Sequence, residues 1–177
     1  DPEGPGTLPM PLMGMVSELG IGNVLVVQVS PHCRRAVREA DAARRLMFAA
    51  RASHLANLIE PAVARGIWVL CDRFTDATYA YQGGGRGLPA ADIDALVHIV
   101  HPQRQPDLTV LLDAPIAVGM ARAHARNGTR GPDRFESERA EFFERVRQNY
   151  LQRAAQEATR FHVVDATGAL EHVELAI

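Results

Sequence analysis

Four short apolar runs punctuate the chain: NVLVVQV at Asn23–Val29, IWVLCD at Ile67–Asp72, DLTVLLD at Asp107–Asp113 and FHVVDA at Phe161–Ala166. Each is too short for a buried helix, is rich in Val and Leu, and lacks an alternating polar face, so each reads as a buried strand. Helical patterns separate them. Arg34–Arg65 is helical in composition, with a break expected at Glu60-Pro61, where proline opens a new helix at its first turn, and an end at Gly66. Ala90–Val100 places Ile93, Leu96, Val97 and Val100 at helical spacing. Pro115–Arg126 and Ser137–Glu157 are further helices, the second with Phe142, Phe143, Val146 and Tyr150 on one side. Asp76–Tyr81 starts a shorter helix, QGGGRGLP is read as loop, Met13–Leu19 as a short helix, and LEHVELAI as the start of a last helix. Strands alternating with helices predict an α/β fold, a three-layer parallel sheet covered by helices on both faces.

Such sheets bind ligands outside the carboxyl ends of their strands. Three of the predicted strands end in a carboxylate, Asp72, Asp113 and Asp165, and Arg73 follows the first. An arginine there offers a planar fork for a carboxylate or phosphate. Asp72 either holds that fork or meets a metal-bound water; the pair also reads as a structural salt bridge. Thr78 and Gln82 stand four apart and share a helical face, where a hydroxyl and a carboxamide can read the polar edge of a planar base. Tyr79 and Tyr81 offer rings, and Gly83–Gly85 let a backbone approach closely.

Composition narrows the class. At 177 residues, 47% hydrophobic and 23% charged, the chain is an ordinary globular one of single-domain length. A net charge of −2 argues against a general nucleic-acid or membrane-surface binder. No apolar run reaches membrane-spanning length and no secretory signal opens the sequence. Cys33 and Cys71 form neither a disulfide framework nor a metal cluster, so a reducing cytoplasm is expected. All 19 basic residues are arginine, from coding bias or from the loss of a functional lysine.

Two further constellations carry chemistry. Arg122, Arg126, Arg130 and Arg134 surround a glycine-containing polar loop, Arg126–Arg134, beside Asp133. Such a loop can close over transferring phosphates and neutralise their charge; alone it reads equally as a solvated basic turn. Met47, Phe48 and Arg51 lie on one helix, where a ring and a guanidinium can stack on a base and bond its edge.

These strings together resemble the bacterial thymidylate kinases. LMFAARASHL, VLCDRFTDATYAYQGGGRG, PDLTVLLDAP, ARAHARNGTRGPDRFE, FFERVRQNYLQRA and HVVDATGALEHV occur in that family's order, from about Asp41 to Ile177. The resemblance implies a P-loop nucleoside monophosphate kinase-like fold and ATP- and Mg²⁺-dependent phosphorylation of dTMP to dTDP, in a homodimer with no nucleic-acid or membrane partner. Position by position, it implies Asp72 and Arg73 near the dTMP phosphate and the magnesium, with Asp72 reaching the metal through water. It implies Thr78, Gln82 and Arg51 on the thymine, and Phe48 or Met47 stacked on it. It also implies that Tyr150 closes the sugar side and that Arg126, Arg130, Asp133 and Arg134 form a lid over about 126–134, in a single domain, 1–177.

The first 31 residues depart from the family, which opens with a strand and G-x-x-x-x-G-K-[ST]. Residues 1–31 hold no such motif and are expected to be aberrant or incomplete, with EGPG either a remnant of that loop or an echo of a later Glu-Pro-Gly-Gly. The competing readings are a non-catalytic dTMP-binding protein, a kinase for another nucleoside monophosphate, and an α/β domain used only for association.

Overall fold

The computed structural model describes residues 24–28, 40–127 and 134–177. The Met13–Leu19 helix expected from the sequence lies outside them. The chain divides into two compact units, Asp1–Arg73 and Phe74–Ile177.

In the first unit, strand β1 (Val24–Gln28) pairs in parallel with β2 (Trp68–Asp72), Val24 opposite Trp68 and Gln28 opposite Asp72. The connection between them ends in helix α1 (Ala40–His54), a π-helical stretch Leu55–Ile59 and helix α2 (Glu60–Ala64). The expected break at Glu60-Pro61 is instead a widened turn. The Glu60 amide reaches back to the Leu55 carbonyl, and Pro61 sits in the first turn of α2, where its missing N–H costs no bond. Gly66, at φ 72°, ends the run as expected. Phe48, Leu55, Ile59 and Ala62 form this unit's core.

In the second unit, β3 (Thr109–Asp113) pairs in parallel with β4 (Phe161–Asp165), Thr109 opposite Phe161 and Asp113 opposite Asp165. Helix α3 (Thr75–Thr78) runs into a π-helical stretch Tyr79–Gly85. Helix α4 spans Ala90–Val100, α5 Ile116–Asn127, α6 Arg134–Gln156 and α7 Leu170–Leu175. The glycines expected in a loop therefore begin in a helix, which runs to Gly85 before the chain turns at Gly87, φ 73°. Ala80, Ile93, Val146, Ala154, Phe161, Val164 and Val173 make the core.

Both strand pairs are parallel, as the apolar runs predict. Their burial is not. Trp68, Leu70, Val110, Leu112 and Val163 are exposed, while Val69, Cys71 and Leu111 between them are half-buried. Successive side chains of a strand point to opposite faces, so β2 and β3 each have one face more covered than the other, whereas β4 buries Phe161 and Val164 on opposite faces. Among the described residues, no helix is long and apolar enough to cross a membrane.

Candidate functional site

The first unit carries four of the expected site residues. Strand β2 ends at Asp72, and Arg73 follows; both side chains are exposed. Arg73 has φ 69°, the positive-φ non-glycine among the described residues. A Cβ in the left-handed region costs about 1–2 kcal/mol, and such strain gathers at functional sites. On α1, the Arg51 guanidinium lies 4.8 Å from the centre of the Phe48 ring. Both are buried, at 6% and 2% exposure, whereas Met47 is half-buried. Phe48 is thus the residue that Arg51 covers. Burial pushes the Cys71 thiol up; Arg51 pulls it down and Asp72 pushes it up further, for a net rise. The Arg51 charge therefore acts at the end of β2, close to where Asp72 and Arg73 leave the strand.

The second unit carries the base-reading candidates. Thr78 is buried. Gln82 is half-buried, with its Oε1 accepting from Arg86 Nη1 at 2.7 Å. They stand one turn apart across the passage from α-helix to π-helix, a widening often found at functional sites. Thr75 Oγ1 lies 2.9 Å from His101 Nε2, and His101 Nδ1 lies 3.0 Å from the Arg104 carbonyl. A carbonyl only accepts, so Nδ1 holds the proton and Nε2 accepts from the Thr75 hydroxyl. His101 is accordingly a packing residue, its ring also tilted against that of Phe74 at 5.1 Å.

The tyrosines and glycines have partners within the protein. Tyr79 donates to Asp94, and the Arg153 guanidinium lies 4.0 Å over its ring. Burial first, then the bond to Asp94, raises the Tyr79 hydroxyl well above its ordinary value. The Tyr81 ring lies edge-on to Phe142 at 6.2 Å and to Tyr150 at 6.5 Å, which puts Tyr150 beside the Tyr79–Gly85 stretch. A Cβ on Gly84 would stand 2.6 Å from Asn149 Cβ and 2.9 Å from the Arg145 carbonyl. One on Gly85 would stand 2.5 Å from Phe142 Cε2. Helix α6 is what approaches these two bare backbones.

The strand-end carboxylates of this unit are also engaged. Asp113 is clasped by Arg147, and Asp165 Oδ1 accepts from the Thr167 amide at 2.8 Å. The Thr167 side chain and amide hold the Asp165 carboxyl below its ordinary value. Arg122, grouped by sequence with the phosphate-loop arginines, instead donates to the carbonyls of Ala166, Thr167 and Gly168 at 2.6, 2.8 and 3.2 Å. Arg126 lies near the end of α5 and Arg134 opens α6. Their side chains, and all of Arg130 and Asp133, lie outside the described residues.

One group of residues was missed. Asp76, at 4% exposure, is gripped by Arg153 and Arg160. By sequence it is only an acid in a first helical turn. Its partners lie 77 and 84 positions away, and no local pattern links them.

Comparison with known proteins adds three findings. Residues 21–177 match the family model described as thymidylate kinase. The match begins earlier than the resemblance from Asp41 and takes in strand β1. A thymidylate kinase of Pseudomonas putida (strain W619) is 57% identical over 141 residues, 80% of this chain and 67% of that protein. One of Chromohalobacter salexigens is 58% identical over 132 residues, 75% of this chain and 61% of that protein. The chain thus spans about two thirds or less of these curated relatives. The crystal structure of a thymidylate kinase from Ehrlichia chaffeensis aligns at a TM-score of 0.68 and 23% identity, covering 92% of this chain and 83% of that one. This likeness shows the fold: α/β on a parallel sheet, of the P-loop nucleoside monophosphate kinase kind.

Proposed function

The chain belongs to the thymidylate kinase family, and from that premise we propose that it transfers the γ-phosphoryl group of ATP to dTMP, giving dTDP. The observation that carries this reading is Arg73. A charged, exposed residue held at φ 69° directly after a strand keeps an unfavourable backbone where the fold binds ligands. Its guanidinium pairs with the dTMP phosphate. Phe48 or Met47 stacks on the thymine, Arg51, Thr78 and Gln82 hydrogen-bond its polar edge, and Tyr150 closes the sugar side.

The donor chemistry fits a magnesium ion at Asp72. Mg²⁺ keeps several waters and uses one or two carboxylates plus substrate phosphates, and Asp72 is an exposed carboxylate beside Arg73. When bound, the ion draws charge from the phosphate oxygens. Arg126, Arg130 and Arg134, with Asp133, act as a lid on the phosphates, within one kinase domain spanning 1–177. Positioning and charge neutralisation are then the protein's contribution. A homodimer in the cytoplasm completes the reading.

Calorimetric titration with dTMP, dUMP, dCMP and dGMP, followed by turnover with ATP and Mg²⁺, tests it. The thymine methyl is expected to favour dTMP over dUMP by about 1 kcal/mol, the value of one buried methyl group. Equal affinity for the four nucleotides overturns the thymidylate reading. Selective dTMP binding without turnover makes the chain a nucleotide-binding protein rather than a kinase.

A further inference from the structure

Among the described residues, Asp76 is the buried carboxylate. Arg160 meets it with two parallel bonds, Nη1 to Oδ2 at 2.8 Å and Nη2 to Oδ1 at 2.9 Å. Arg153 Nε reaches Oδ1 at 2.9 Å. Thr109 Oγ1 donates to Oδ2 at 3.3 Å and accepts from Arg160 Nη1 at 2.8 Å. Glu157 steadies both arginines from outside, at 2.9 and 2.8 Å. Helix α6, strand β3 and the turn before β4 therefore all fasten on one side chain of α3.

That side chain stands two residues before Thr78 and six before Gln82. The same segment is gripped again at Thr75 by His101 and at Tyr79 by Asp94 and Arg153. Apolar residues of the same size would hold the fold at lower cost, because a buried ionic group is weak support for stability. A two-bond guanidinium–carboxylate pair does something packing does not: it admits one orientation.

We propose that Asp76, clamped by Arg153 and Arg160, is a positioning residue that sets the orientation of Thr78 and Gln82 and so the affinity for the base. The inference rests on the reading that these two residues meet the thymine. It concerns the nucleotide-acceptor side alone, so ATP constants are not expected to follow.

Asp76→Asn is the direct test. It is expected to weaken dTMP about tenfold, within the coupling range of residues in one network, while leaving the KM for ATP unchanged. Amide hydrogen exchange over 75–85 should quicken while that of Ala90–Val100 does not. Losing the charge leaves two largely enclosed arginines with Glu157 as their remaining carboxylate partner, which can unfold the chain. Thr109→Val is therefore the second variant. It removes one arm of the clamp with no charge lost, and is expected to weaken dTMP in the same direction by less. Unchanged dTMP affinity in Thr109→Val and in any folded Asp76→Asn protein overturns the proposal. So does a parallel shift of dTMP, ATP and all amides, which would make the cluster a support of the fold only. A wild-type protein that does not bind dTMP removes the thymine reading and this inference together. Normal wild-type binding with unaffected variants removes only the positioning role.

Discussion

Arg147 clasps Asp113 at both carboxylate oxygens, Nε to Oδ1 at 2.7 Å and Nη2 to Oδ2 at 2.8 Å. The hydrogen bonds that Arg147 donates to Asp113 are the main reason its guanidinium is held above its ordinary value. A carboxylate at the carboxyl end of β3 is thus used to tie α6 to that strand. Both side chains are partly open, at 21% and 25% exposure, so the pair is worth about 0.5–1 kcal/mol. Arg147→Ala is expected to lower the unfolding free energy, read from urea titration, by that amount and to leave dTMP affinity unchanged. The loss should shrink in high salt, which screens exposed charges. A variant that binds dTMP poorly while melting normally would place Asp113 and Arg147 in the binding site.

Arg73 combines a phosphate role with a strained backbone, and two substitutions separate them. Arg73→Ala removes the guanidinium and keeps a Cβ at φ 69°. Arg73→Gly removes both, and glycine adopts that φ freely. Both variants should lose about 1.5–3 kcal/mol of dTMP binding, the scale of a charged hydrogen-bonding group, with much less effect on thymidine, which has no phosphate. Only Arg73→Gly should gain thermal stability. Equal weakening of dTMP and thymidine would make Arg73 a structural residue.

The glycines grade themselves. A Cβ on Gly83 would meet Ile93 Cδ1 at 3.5 Å, an ordinary contact. A Cβ on Gly85 would stand 2.5 Å from Phe142 Cε2 and 2.9 Å from Val146 Cγ2. Gly83→Ala is expected to be nearly neutral in thermal unfolding. Gly85→Ala should cost about 1–3 kcal/mol, as overpacking does. Gly84→Ala should be no milder, since the Arg145 carbonyl at 2.9 Å is backbone and cannot rotate aside. The reverse order would mean that α6 does not pack here.

Burial would raise the Asp76 carboxyl, but the bonds and charges of Arg160 and Arg153 outweigh it and hold the group below its ordinary value of 3.8. A carboxyl depressed in the folded state stabilises the protein above the unfolded value and loses that effect as pH falls through the folded one. Wild-type stability should therefore decline on acidification below pH 3.8. Asp76→Asn, where it folds, should lack this part of the decline. Identical pH profiles in urea titrations would show that Asp76 does not titrate as the structure requires.

Much of this protein was legible in local pattern. The four strands, the helix at Ala90–Val100, the glycine stop at Gly66 and the placing of Asp72 and Arg73 at a strand end all follow from period, length and turn chemistry within a few residues. The string from Val69 to Gly87 also carried the family resemblance. Tertiary structure decided what local pattern does not encode. It chose the partner of each arginine: Asp113 for Arg147, Asp76 for Arg153 and Arg160, and the carbonyls of 166–168 for Arg122. It turned Gly84 and Gly85 toward α6, opened the helix into π-turns before Pro61 and after Thr78, and left apolar side chains of β2, β3 and β4 exposed. The physical reason is distance along the chain. Backbone period and capping are set by neighbours a turn away, whereas an ion pair between Asp76 and Arg160 exists only once packing has brought residues 84 positions apart to within hydrogen-bonding reach.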